Sequence, residues 1–134
     1  MTRAPSEIVR RATDAYNRRD LSGLVEDWAP DAVVDWSRSR GPEAGVYRGR
    51  EAVGSFIESF LEAFDEIRIE LGPIREIDEG VLVVENVTYL RGRDGIEVEA
   101  RSAWLVTVRD GAQTSLTLYQ SEREALEAAG APTR

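Results

Sequence analysis

The chain changes period near its middle, and that change limits what it can fold into. Residues 6–64 carry apolar side chains at helical spacing around one short β-prone run. Residues 67–120 alternate or run apolar in long stretches broken by tight turns. Helices first and an antiparallel sheet afterwards predict an α+β fold, with the helices packed on one face of the sheet. A strongly curved sheet with helices on its concave face encloses a cavity, and cavities of that kind take small molecules.

The elements follow from spacing. Ile8, Val9, Ala12, Ala15 and Tyr16 mark a first helix from about Ser6 to Arg19. Asp20 reads as the N-cap of a short second helix with Leu21, Leu24, Val25 and Trp28 as its stripe, stopped by Pro30. Residues 32–36 make a short strand. Residues 37–49, with Gly41, Pro42, Gly45 and Gly49, have no period and read as a long mobile loop at the cavity rim. Val53, Phe56, Ile57, Phe60, Leu61 and Phe64 give the third helix, whose pattern is the clearest in the chain.

In the second half, strands are expected from Ile67 to Leu71, Val81 to Leu90, Ile96 to Val108 and Gln113 to Gln120. Asp94-Gly95 and Asp110-Gly111 are hairpin turns, and Pro73 marks a bend or an edge. Ser121 through Glu124 has capping-box spacing and opens a last short helix. At 134 residues, residues 1–134 are expected to form one domain.

Composition removes several chemistries. The chain has no Cys and no His, and all 17 basic residues are Arg. Thiolate chemistry, the commonest general base and Schiff-base catalysis are therefore absent. No metal ligand set and no organic cofactor is implied. The net charge of -8 argues against a nucleic-acid footprint. No apolar run reaches membrane-spanning length, so no membrane partner and a cytoplasmic location are expected. Using Arg to the exclusion of Lys suggests a high-GC bacterial genome.

The order of elements resembles the nuclear transport factor 2-like superfamily, in its SnoaL-like polyketide cyclase and ketosteroid isomerase branch. The residues that carry the resemblance begin with Tyr16-Asn17-Arg18-Arg19-Asp20-Leu21 and Trp28-Ala29-Pro30-Asp31-Ala32. Tyr47-Arg48-Gly49-Arg50-Glu51, Val108-Arg109-Asp110-Gly111 and Tyr119 complete them. The resemblance implies a cone-shaped, strongly curved antiparallel sheet wrapped around the N-terminal helices. It also places the isomerase carboxylate base at Trp36, with Asp35 one residue before it. The isomerase tyrosine falls near Ala12 and its oxyanion-hole acid near Trp104. All three positions depart from the isomerase pattern, so a ketosteroid isomerase is not expected. The epoxide hydrolase and cyclase patterns are not met either.

Strand parity then nominates the site. Val83, Glu85, Val87 and Tyr89 are expected to share the concave face with Val98, Ala100, Ser102, Trp104 and Val106, and with Leu116, Leu118 and Gln120. Tyr16, Trp36, Phe56 and Phe60 join them from the first half. The ligand-binding candidates are Tyr16, Trp36, Phe56, Phe60, Val87, Tyr89, Ser102, Trp104, Leu118 and Gln120. Glu85, in an otherwise buried run, is the first catalytic candidate, because burial raises a carboxyl pKa into the range of an acid–base group. Asp35 is the second.

The expected function is binding of an apolar or aromatic metabolite, with cofactor-free proton transfer, cyclisation or hydration as candidate reactions. A non-catalytic ligand-binding or dimeric interaction domain is the alternative. Residues 103–108 are apolar on both parities, so Ala103, Leu105 and Val84 are expected to need cover from a second subunit on the convex face.

Overall fold

The structure, a computed structural model, describes residues 4–39 and 43–130. Two helices come first, α1 (Pro5–Asn17) and α2 (Leu21–Glu26), followed by strands β1 (Trp28–Asp35) and β2 (Val46–Arg48). Helix α3 (Arg50–Ala63) leads into the long strands β3 (Glu66–Asp78), β4 (Val81–Arg91) and β5 (Glu97–Arg109). β6 (Ala112–Tyr119) and a last helix α4 (Glu122–Ala128) close the chain. The strands form one curled sheet in the order β2-β1-β6-β5-β4-β3. Every pairing is antiparallel except β1 with β6. This is the α+β cone that the sequence predicts.

Short polar residues hold the helices to the sheet. The Asn17 side chain pairs with one peptide of β3: its amide donates to the Ile69 carbonyl at 2.8 Å and its oxygen accepts from the Ile69 N–H at 2.7 Å. Arg19, at φ 58°, donates to the carbonyls of Leu61, Phe64 and Asp65. These carbonyls include some that the end of α3 leaves without helical partners. Asp20 accepts from the Gly23 N–H at 3.0 Å and caps α2. Arg50 donates to the Trp28 carbonyl and fixes the start of α3 on β1. Asn17, Arg19, Asp20 and Arg50, within the segments that carry the family resemblance, are therefore framework.

The sheet bends where its ladders slip. β3 slips against β4 between Leu71 and Ile74, around Gly72-Pro73. β5 slips against β6 between Thr107 and Val108, so Thr107 faces Ser115 while Val108 faces Gln113. The extra residue is Thr114, whose hydroxyl lies 2.6 Å from that of Thr107. Asp110 (φ 53°) and Gly111 (φ 78°) make the β5–β6 turn, where both central residues must take positive φ.

Several expectations are corrected. Trp28 opens β1 and does not end α2, because α2 stops at Glu26. The stretch read as loop contains β2, which pairs with β1 through Val34 opposite Tyr47. Arg40, Gly41 and Pro42 of that loop lie outside the described residues.

The convex face is covered differently from the expectation. α4 packs Ala125 and Leu126 on Val83 and Ala103, with Ile77, Leu105 and Tyr119 around them. Val84 belongs to the main core on the other face. Ala103 and Val83 thus find their cover within the same chain, and Leu105 is left half-buried.

Candidate functional site

The concave face, α1 and α3 enclose a cavity of about 690 Å³. The helices contribute Val9, Ala12, Thr13 and Tyr16 from α1, and Phe56, Ile57 and Phe60 from α3. The sheet contributes Val34 and Trp36 from the β1 segment, Thr88 and Leu90 from β4, Ser102 and Trp104 from β5, and Leu116 and Leu118 from β6. All three tryptophans of the chain, Trp28, Trp36 and Trp104, line it.

One wall is a ladder of rings. Trp36 meets Phe56 with centroids 5.5 Å apart, and Tyr47 backs Phe56 from outside the lining at 4.3 Å. Phe60 then contacts Phe56 at 6.0 Å and Phe64 at 5.6 Å. α3 produces this ladder because Phe56, Phe60 and Phe64 are four residues apart and project from one face. Offset and tilted contacts suit the ring quadrupoles and present flat apolar surface to a ligand.

Polar groups in this wall are few. Thr13 spends its hydroxyl on the Val9 carbonyl at 2.9 Å. Ser102 donates to the Asn86 side-chain oxygen at 3.1 Å. Gln120 donates to the Arg38 carbonyl at 2.9 Å and ties the end of β6 to the rim. Burial pushes the Tyr16 phenol well above its ordinary pKa, against a smaller pull from Arg19, so the hydroxyl keeps its proton. Glu43 and Arg101 are the charged residues among the described lining.

The structure brings eight of the twelve candidates together on the cavity: Tyr16, Trp36, Phe56, Phe60, Ser102, Trp104, Leu118 and Gln120. The other four are corrections. On β4 the even positions face inward, since Val84 is opposite Trp104, Asn86 opposite Ser102 and Thr88 opposite Ala100. Glu85, Val87 and Tyr89 therefore point to the convex side. Tyr89 lies under the Arg68 guanidinium at 4.5 Å. Glu85 sits beside Glu122 of α4 and Arg75 of β3. Its carboxyl is pushed up first by burial and then by the Glu122 charge, with Arg75 opposing. The raised pKa is the one expected of Glu85, but on the face away from the cavity.

Asp35 follows the same rule. Val34 and Trp36 line the cavity, so Asp35 between them faces away. It accepts from the Ser37 N–H at 3.0 Å and from the Ser37 hydroxyl, and it pairs with Arg38 at 3.6 Å. The Ser37 hydrogen bond is the main reason its carboxyl is held below the usual range.

Sequence reasoning missed Trp28, Thr88, Leu90 and Gln113 as cavity residues. Gln113 is 2% exposed and is turned inward by the Thr114 bulge. Simple alternation back from Leu116 would put it on the convex side. The signal that could have found it is the Asp110-Gly111 turn, which sets Gln113 opposite Val108.

The fold defines a class: the cone-shaped proteins of the nuclear transport factor 2-like fold. Within that class the chain belongs to the SnoaL-like domain family, whose model matches residues 9–115. An uncharacterized protein of Mycobacterium tuberculosis is 31% identical over 126 residues, covering 92% of this chain and 94% of the relative. Two solved structures show the same fold at low identity. One is a Mycobacterium tuberculosis protein in complex with estradiol-17beta-hemisuccinate, at TM-score 0.78 and 18% identity, covering 89% of this chain and 95% of that one. The other is the Delta 5-3-ketosteroid isomerase of a Mycobacterium species, at TM-score 0.76 and 18% identity, with the same coverage.

Proposed function

We propose that the protein binds an apolar, largely flat small molecule in its concave cavity. The observation that carries this reading is the cluster of rings Trp36, Phe56, Phe60 and Phe64 along a cavity of about 690 Å³. That size suits a ligand of several fused rings. The steroid complex and the ketosteroid isomerase among the fold neighbours point the same way for ligand class. Binding is proposed ahead of catalysis because both nominated carboxylates, Glu85 and Asp35, lie off the cavity and are engaged elsewhere.

The test uses the protein's own reporters. With all three tryptophans on the cavity, a bound ring system should quench or shift their fluorescence. A panel of steroid ketones, aromatic polyketides and fused-ring hydrocarbons should give saturable quenching and raise Tm, since a ligand that binds only the folded state stabilises it by mass action. Unchanged fluorescence and Tm across the panel would remove the proposal. Turnover of a bound member, followed by chromatography, would reinstate an enzyme.

The proposed homodimer narrows to the part of the convex face that α4 leaves open, around Leu105 and Thr117, which are paired on neighbouring strands. Sedimentation equilibrium at micromolar concentration tests it, and a monomer there removes it.

A further inference from the structure

The inward row of β5 runs from the floor of the cavity out through its opening. β6 pairs with β5 only from Ala103 to Arg109, whereas β4 follows β5 as far as Glu97. Beyond Ala103 the β4–β5 ribbon therefore continues with no β6 beside it. The inward row records the change. Trp104 is 6% exposed, Ser102 is half-buried, Ala100 is exposed and Val98 is 50% exposed. Ala100 and Val98 still line the cavity. By alternation the same row ends at Ile96, which is 63% exposed at the hairpin tip.

The surface that leaves the cavity along this row is apolar. Across the ladder Val98 faces Leu90, and both line the cavity with Phe64. The end of α3 that carries Phe64 is tied to the end of β4, where the Asp65 N–H donates to the Arg91 carbonyl at 2.9 Å. The ring cluster therefore leads up to the opening. The charges of the ribbon fall on the opposite parity: Arg101 pairs with Glu99 at 3.2 Å, and the row itself holds no charged residue. Among the described residues the exposed large hydrophobics are Val46, Ile96 and Val98, and two of those three stand in this row. A single exposed valine is ordinary, but a strip continuous with an apolar cavity marks ligand surface.

We propose that the row Ala100, Val98 and Ile96 is a groove for a hydrocarbon chain, so that the ligand is a flat ring system whose apolar tail leaves the cavity along β5. This rests on the binding function proposed above and specifies the second half of the ligand and the direction in which it lies. From Ala100 to Ile96 the strand rises about 13 Å, the length of a chain of about ten carbons. Covering the row removes apolar surface from water, which supplies the affinity.

The experiment uses acyl(dimethylamino)naphthalenes, which share one environment-sensitive fluorophore and differ in an acetyl, hexanoyl or dodecanoyl chain. In the wild type the hexanoyl probe should bind about tenfold and the dodecanoyl probe about a hundredfold more tightly than the acetyl probe, because each methylene laid on a one-sided groove gains part of its full burial energy. Ile96→Ser should weaken the dodecanoyl probe about threefold and leave the hexanoyl probe alone, since only the longer chain reaches the tip. Val98→Ser should weaken both long-chain probes. Val46→Ser, at an exposed valine on β2 at the far edge of the sheet, should change none of the three and controls for general surface hydrophobicity. All three positions are exposed, so an unchanged Tm confirms folding. Acetyl binding with no gain for longer chains, a gain that survives both Ile96→Ser and Val98→Ser, or an equal loss in Val46→Ser would each overturn the groove while leaving the pocket function standing. A strip that serves as a contact between copies would show as a slower-sedimenting Ile96→Ser/Val98→Ser double variant with the chain-length gain intact, which also overturns the groove. Failure of all three probes to bind would overturn both.

Discussion

Glu85 and Asn86 are consecutive residues of β4 and sit in opposite chemistries. Asn86 faces inward, is buried, and accepts a hydrogen bond from Ser102 on the cavity wall. Glu85 faces outward beneath α4, beside Glu122 and Arg75. The concave face carries rings, and Glu43 is the carboxylate of the described lining. The convex face carries Glu85 and Asp35, each beside a partner or a competing charge. One sheet thus separates ligand chemistry from structural electrostatics, and a shift of one residue in register would exchange them.

The largest expected effects come from perturbing one face and reading both. Leu126→Ala removes the side chain that α4 buries on Val83 and Ala103. A fully buried leucine replaced by alanine should cost about 2–5 kcal/mol in urea unfolding, while ligand affinity stays unchanged. Ala100→Trp is the mirror experiment. Ala100 lines the cavity yet is exposed, so a ring there has room and obstructs the ligand. Affinity should fall by more than about tenfold, with stability within about 0.5 kcal/mol of wild type. If Leu126→Ala weakens binding as much as Ala100→Trp does, the two faces are not separate.

This separation also explains what could be read from the sequence. The α3 stripe had one solution, because Val53, Phe56, Ile57, Phe60 and Leu61 cannot share a face unless the segment is helical. β5 and β6 were legible from Trp104 and Leu118 because alternation from Val98 to Ser102 carries its parity into the apolar run that follows, and it returns from Leu116 to Gln120. β4 was not. Leu82, Val83 and Val84 are apolar on both parities because α4 covers one side and the main core the other. Alternation then carries no sign, and Glu85 was assigned to the wrong face. The resemblance motif misled in a different way: Asn17, Arg19 and Arg50 carry the family pattern because they hold the frame, so they mark the fold and leave the ligand open. Trp28 and Gln113 were hidden by irregular pairing, which spacing alone does not encode.

The next effect is smaller and depends on pH. The Glu85 carboxyl is raised in the folded state, by burial and then by Glu122. A carboxyl raised above its unfolded value favours folding below that unfolded value and loses the contribution as pH rises through the folded value. At neutral pH the ionised Glu85 therefore works against α4. Glu85→Gln keeps the shape and removes the charge. Its Tm should exceed wild type by roughly 2 °C at pH 7 and match it near pH 4. Ligand affinity should not move, since the group is on the convex face. A large loss of binding or turnover in this variant would return Glu85 to the site.

Asp35 should give the opposite sign and the smallest effect. Its carboxyl is lowered in the folded state, chiefly by the Ser37 hydroxyl, with Arg38 adding to it. A lowered carboxyl contributes stability above its unfolded value, near 3.9, and loses it as pH falls through the folded value. Asp35→Asn should therefore lower Tm at pH 7, and the two proteins should converge as pH falls through the folded value. The side chain is 31% exposed and its Arg38 partner 45%, so solvent screening limits the loss to about a degree. The two variants together form a signed pair, with Glu85→Gln gaining at neutral pH and Asp35→Asn losing there. Asp35 also sits between two cavity residues, Val34 and Trp36, so its variant is the stricter check on the separation of faces. If Asp35→Asn changes ligand affinity at constant Tm, the carboxylate reaches the cavity from the strand end and belongs to the site after all.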